Sequence, residues 1–485
     1  MPVFRRVAQR HDRKTVHLLS RAMRTIAASA ILVAALSIST GRTASAQATA
    51  TGGNWAGPYD QPDDHDPEHG HRSGRDPAPD TEAAEQPLFQ VDASRIRVEF
   101  KPGVEAAAAE ALVRRYGFVP LDSFVTPDTN ALVMLTSSNS AARNPAVYQA
   151  LSALSKDTHV QRAQLDTTFL PQESGTEAVT HSYMNTQYVF RLIGLGTAQN
   201  MSTGGGADIA LIDTWVDSQH PAFAHAALTS IDGMAPKSGN GRENNASTAE
   251  TAAAIYKDHG TRMAGVLAAD GPVRGVAPDA GVLLYDVFAP TQSGTTTASG
   301  YYIAKSLSDA VSRNVDVVNI SLCGPYDGLI SRVIATALQK QVNIVAAAGN
   351  GGPLARACYP AAADGVIAVT ATDADDHLYE HANRGSYITM AAPGVDILTA
   401  ASHGKLGIAT GTSFAAAHVT GMVALLRSRH PDLSADAIVK ILSYSAKDMG
   451  PKGRDPDYGV GRLSALEAMI LSDQDLTEYE AFPAP

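Results

Sequence analysis

From Gly206 to about Met469, uninterrupted apolar runs alternate with helical patterns, and this alternation limits the possible folds more than any other feature. Strands are expected at 208–212, 281–288, 315–320, 342–347 and 366–370, and helices at 260–269, 303–313 and 329–340. Most of the strand runs are continuously apolar, as parallel strands covered on both faces require. The expectation is an α/β fold with a mostly parallel central sheet between helical layers. Ligands bind such open sheets at the carboxyl ends of the strands. The 485 residues are 44% hydrophobic and 18% charged, which suits a large buried core with room for a second domain. A net charge of -11 argues against a general nucleic-acid binder. Two cysteines exclude a disulfide-framework scaffold and a cysteine-rich zinc module. No apolar run reaches the ~20 residues of a stable membrane span.

The part before Gly206 divides into segments. Residues 1–46 hold eight Lys/Arg against one Asp. Within them a basic stretch precedes an uncharged run at 25–40 and then Ala44-Ser45-Ala46. That order is a secretory signal, so a secreted or periplasmic protein is expected. The alternatives are an uncleaved anchor and, through Arg5-Arg6, the twin-arginine route. Residues 47–90 are rich in Gly, Pro, Asp and His and read as a disordered acidic linker. His65, His69 and His71 stand among acids there, a polar tract or a metal-binding one. From Arg95, strand and helix patterns follow in the order βαββαβ up to Phe169, a small ferredoxin-like unit.

Four residues at strand ends and helix starts of the large region form a chemical set. Asp213 closes an apolar strand, His259 precedes Gly260-Thr261, Asn350 lies between glycines, and Ser413 opens an Ala-rich helix. Taken singly, each is a cap or a turn residue. Together they are a nucleophile, its base, the carboxylate that fixes the base and a donor to an oxyanion.

These motifs resemble those of the subtilisin-like serine proteases, or subtilases, over about 188–466. Ile212-Asp213-Thr214, His259-Gly260-Thr261, Gly275-Val276-Ala277-Pro278, Asn319-Ile320-Ser321-Leu322, Ala348-Gly349-Asn350 and Gly411-Thr412-Ser413 occur in the family order. The resemblance implies a subtilisin-like three-layer domain at 172–470, followed by an acidic tail at 471–485. It makes 91–171 a propeptide that assists folding and inhibits the site, with the scissile region between Phe169 and Gln187. It implies an autoprocessed, monomeric serine endopeptidase acting on protein or peptide substrates, with Asp213, His259 and Ser413 catalytic and Asn350 at the oxyanion. Ser321, Leu322 and Gly324 would supply the edge onto which substrate docks. Gly351 and Gly352 leave the specificity pocket without an acid, so an apolar or aromatic preference is expected.

Departures from the family pattern are Trp215 in place of Gly, Arg262 in place of a second His, and Ala417 in place of Pro. None removes a group with a chemical role. By the resemblance, Cys323 and Cys358 border the specificity pocket, as a disulfide or as two buried thiols. The chemistry requires no cofactor; structural calcium is an expectation by family analogy only. Gly194-Leu195-Gly196 lacks the third glycine of a nucleotide loop. A non-catalytic peptide-binding module on the same fold is the competing reading.

Overall fold

The computed structural model describes residues 91–138, 145–172, 174–179, 187–232, 249–290 and 296–474. The readings of 1–46 and of 47–90, with His65, His69 and His71, and of the tail past 474 lie outside them.

Alternating residues build the first unit. Its elements are β1 (Val91–Phe100), α1 (Ala106–Arg115), β2 (Phe118–Val125), β3 (Leu132–Ser138), α2 (Pro145–Leu154) and β4 (Val160–Pro171). Arg114 and Arg115 lie in the last turn of α1, where cations offset the helix dipole. Gly117, at φ +82°, then turns the chain. The strands run in the order β2-β3-β1-β4, and β1 is antiparallel to both neighbours. Ile96, Val98 and Phe100 of β1 pack with Val113 and Leu154. Arg97 and Glu99 point to the opposite face and are also buried.

Short pieces lead into the large region: β5 (Ser174–Val179), α3 (Tyr188–Leu192) and α4 (Leu195–Gln199). Next come β6 (Asp208–Asp213), β7 (Ala227–Ser230), α5 (Ala249–Ala268), β8 (Gly281–Asp286), β9 (Phe288–Pro290), β10 (Thr296–Ser299) and α6 (Gly300–Ser312). β11 (Val317–Ile320), β12 (Leu322–Cys323), α7 (Gly328–Gln339), β13 (Asn343–Ala347) and β14 (Ile367–Thr372) follow. The chain continues through β15 (Met390–Pro393), β16 (Ile397–Ala401), β17 (Lys405–Thr410), α8 (Thr412–Arg429), α9 (Ala435–Ser445) and α10 (Ala465–Ser472).

The central sheet has the order β15-β14-β13-β11-β6-β8-β7, and all its pairings are parallel. Alternate residues of β6 feed two cores. Ile209 and Leu211 join the core that contains Met263 of α5 and Phe414 of α8. Ala210 and Ile212 join the one that contains Leu307 of α6 and Val333 of α7. Helices therefore cover both faces, which gives three layers. Helix α8 is buried from Thr412 to Arg427, as expected of a helix apolar on every side.

The first unit is joined to this scaffold by strand pairing. β4 pairs antiparallel with β10 and with β12. β5 pairs antiparallel with β17, next to β16. No helix among the described residues is long and apolar enough to cross a membrane.

Candidate active site

Three elements bring the predicted Asp, His and Ser together. Asp213 ends β6 near the middle of the sheet, and Ser413 lies in the first turn of α8. His259 does not open a helix, as its sequence context suggests; α5 begins ten residues earlier, at Ala249. The preceding Ala-Glu-Thr-Ala-Ala-Ala run is strongly helix-forming and carries the helix straight through. Gly260 lets α5 approach the end of β6, because a Cβ there would overlap the Thr214 carbonyl. The contact is fastened by the Gly260 N–H, which donates to Thr214 Oγ1 at 2.7 Å.

Asp213, His259 and Ser413 are fully buried. His259 Nδ1 lies 2.6 Å from Asp213 Oδ1, which also accepts the Thr214 N–H at 2.6 Å. That carboxylate holds the Nδ1–H tautomer, leaving Nε2 as the acceptor. Nε2 lies 3.1 Å from Ser413 Oγ. Behind the serine, Ser321 Oγ donates to Asn319 Oδ1 at 2.9 Å, and Asn319 Nδ2 donates to Thr420 Oγ1 at 2.9 Å. This buried string ties α8 to β11. At the neighbouring strand end, burial first and then the charge of Asp213 push the Asp286 carboxyl up to about 6.

Asn350 is held through its carbonyl oxygen. Oδ1 accepts the Thr412 N–H at 3.0 Å and the Thr412 hydroxyl at 2.9 Å. The amide nitrogen is buried and has no hydrogen-bond partner among the described residues. Such a group suits charge that develops only during reaction. Thr412 is a positioning residue that sequence reasoning passed over, although it stands inside Gly411-Thr412-Ser413.

The cleft holds the chain's own residues. Pro171 pairs with Leu322 and Leu170 with Cys323. The Gln172 N–H donates to the Ser321 carbonyl at 3.3 Å. Ser413 Oγ donates to the Gln172 carbonyl oxygen. The serine proton thus has this carbonyl, His259 Nε2 and, at 3.5 Å, the Ser321 carbonyl in reach, and attack on the carbonyl carbon uses His259. Gln172 Oε1 accepts the Asn350 N–H at 2.8 Å. Phe169, fully buried, packs where Gly300 and Gly324 have no side chains. Beyond the site the chain pairs again, with Ser174 opposite Thr410 and Ala178 opposite Gly407.

Of the predicted docking residues, Ser321, Leu322 and Gly324 meet this strand. Gly351 instead gives its N–H to Asn383 Oδ1 at 2.8 Å, and its neighbour Asn350 makes the side-chain contact. Cys323 and Cys358 form a disulfide, Cα atoms 5.3 Å apart, beside the Gly324–Tyr359 bridge. Trp215 is 51% exposed, and Arg262 pairs with Asp258 at 2.6 Å. Among the described residues no cluster of three His, Cys, Asp or Glu is placed to hold a metal ion.

A carboxylate, an imidazole and a hydroxyl in this order, at the carboxyl edge of an open parallel sheet and against an extended peptide, define a serine-type endopeptidase. The model of the Subtilase family matches residues 204–461, more than half of the chain, and the chain belongs to that family. It is 34% identical over 235 residues to the major intracellular serine protease of Bacillus subtilis (strain 168), covering 46% of this chain and 69% of that protein. Thermitase of Thermoactinomyces vulgaris is 30% identical over 296 residues, 59% of this chain and 97% of that protein. The crystal structure of fervidolysin from Fervidobacterium pennivorans, a keratinolytic enzyme related to subtilisin, superposes with a TM-score of 0.63. At 21% identity, over 81% of this chain and 62% of that one, the likeness is one of fold.

Proposed function

We propose that this protein is an exported serine endopeptidase, made as a precursor whose residues 91–172 fold onto the cleft, inhibit it and are cut away by the site itself. Asp213 orients His259 and stabilises its protonated form. His259 takes the Ser413 proton, and Ser413 Oγ bonds to the substrate carbonyl carbon. The Asn350 side chain and the Ser413 N–H hold the oxyanion. His259 then protonates the leaving amine, and water releases the acyl group by the reverse proton route. The single observation that carries this reading is the seating of the Gln172 carbonyl against Ser413 Oγ. The strand pairing of β4 and β5 on either side supports Gln172–Glu173 as the bond cut first.

Export is supported by the basic, apolar and small-residue order of 1–46. The names of the relatives span intracellular proteases and subtilisins, so the compartment is read from this chain alone. The test is expression of the full chain beside Ser413→Ala, with a fluorophosphonate probe and intact mass. We expect label and a mature chain starting at Glu173 in the wild type only, in the exported fraction. A Ser413→Ala chain that still matures in isolation would overturn the assignment, and a wild-type chain kept entire in the cytoplasm would overturn export.

A further inference from the structure

We infer that the pocket for the residue before the scissile bond selects glutamine, through a hydrogen bond from the Asn350 main chain. This rests on the reading above and goes beyond it to the substrate. Gln172 is only 7% exposed, and its side chain is satisfied at both polar atoms. Oε1 accepts the Asn350 N–H at 2.8 Å, while Nε2 donates to the carbonyls of Leu170 and Pro171 at 3.3 and 3.2 Å.

The loop that presents this N–H is fixed. The Gly349 N–H goes to Thr412 Oγ1 at 3.1 Å, and the Gly351 N–H goes to Asn383 Oδ1 at 2.8 Å. The Asn383 N–H returns to the Gly349 carbonyl at 2.9 Å, and Asn383 is 2% exposed. The neighbouring amides are thereby committed to the protein, and the Asn350 N–H is the one turned to the side chain in the cleft.

The chemistry of that position ranks the substrates. A leucine, methionine or phenylalanine there leaves the Asn350 N–H without its acceptor. A glutamate keeps an acceptor but sets a buried negative charge beside the Leu170 and Pro171 carbonyl oxygens. A lysine offers no acceptor at all. Glutamine alone among these supplies both an acceptor and a donor, without charge. The apolar or aromatic preference expected from Gly351 and Gly352 is replaced by this reading, because an amide of the intervening residue faces the cleft.

The test is a panel of fluorogenic peptides Phe-Leu-Pro-X, with X as Gln, Met, Leu, Phe, Glu or Lys, offered to the matured chain. We expect kcat/KM for Gln to exceed that for Met or Leu by about tenfold, with Glu and Lys lower still. Asn383→Ala, which frees the loop, should bring the Gln-to-Met ratio towards one. Met, Leu or Phe turned over as well as Gln would overturn the inference. The reading beneath it fails separately. A mature chain starting elsewhere than Glu173 removes the assigned bond, while the panel still decides selectivity. A chain that hydrolyses no peptide overturns both.

Discussion

Arg97 of the N-terminal unit is buried against Asp327 at the start of α7, in a bidentate pair with Nη2–Oδ2 at 2.6 Å and Nη1–Oδ1 at 3.1 Å. Asp166 of β4 lies 3.5 Å from Arg97 Nε, and its carboxylate also accepts the Ser299 hydroxyl and the Tyr301 N–H. Burial raises the Asp166 pKa above the usual carboxylate range. Burial acts the same way on Asp327, but the Arg97 charge and hydrogen bonds outweigh it and leave that carboxyl below its ordinary value. One arginine thus compensates two carboxylates, Asp166 in its own unit and Asp327 across the seam.

Replacing Arg97 by Met leaves both carboxylates buried without their cation, a loss of about 3–5 kcal/mol. The Ser413→Ala precursor carrying this change should unfold at lower denaturant. If the chain matures as proposed, peptide hydrolysis in the active chain should follow self-cleavage with a shorter delay, because a less tightly held unit leaves sooner. Helix α7 persists, since Asp327 still caps it through Leu329 and Ile330. An unchanged delay would show that the seam does not hold the proposed inhibitor.

Gly324 and Phe169 form a second contact across the same boundary. A Cβ at position 324 would overlap the Phe169 ring. Gly324→Ala should slow self-cleavage and raise KM for peptides with Phe four residues before the cut by about 10- to 100-fold, equal to ~1–3 kcal/mol of overpacking. Peptides with Ala at that position should lose little. Equal losses for both would place the effect in the backbone instead of the socket.

The parts that were legible in the sequence are those set by local pattern. The continuous apolar runs mark β6, β8, β11, β13 and β14 to within a few residues, because strands covered on both faces are mostly apolar. Asp213, Asn350 and Ser413 stand out as polar residues where such runs end or a helix begins. Alternation in Ile96-Arg97-Val98-Glu99-Phe100 reveals two faces but not what covers the second. Arg97 and Glu99 on that face meet Asp327 and Arg332, far along the chain. The choice between Gly351 and Asn350 in the pocket depends on Asn383, far along the chain, and no local signal carries it. The edge of β17 has meaning only with β5 beside it.

The roles proposed for the side chain and the main chain of Asn350 are separable by mutation. Asn350→Ala removes the unpartnered amide nitrogen but keeps the N–H that meets Gln172 Oε1. kcat should fall by about 10²–10³, the size measured for such a donor in a bacterial subtilisin, with KM changed little. The Gln-to-Met ratio should survive. A loss of selectivity without a loss of kcat would reverse the two assignments.

The raised Asp286 carboxyl makes the stability of the folded chain fall as the pH rises. It pairs with Asp213 in register and accepts the Phe288 N–H at 3.1 Å. Its carboxyl is pushed up to about 6, by burial first and by Asp213 next, from an ordinary value of 3.8. The folded chain therefore binds this proton more tightly than the unfolded chain does. Below pH ~4 both states are protonated and nothing is lost. As the pH rises from ~4 to ~6 the unfolded state ionises first, and stability falls by up to about 3 kcal/mol. Above ~6 both states are ionised and the deficit is constant. Asp286→Asn keeps an oxygen for the Phe288 N–H and removes the charge. In the Ser413→Ala background, its melting temperature should match that of the parent near pH 4 and exceed it by several degrees at pH 7. A gap of the same size at both pH values would assign the gain to packing and not to ionisation.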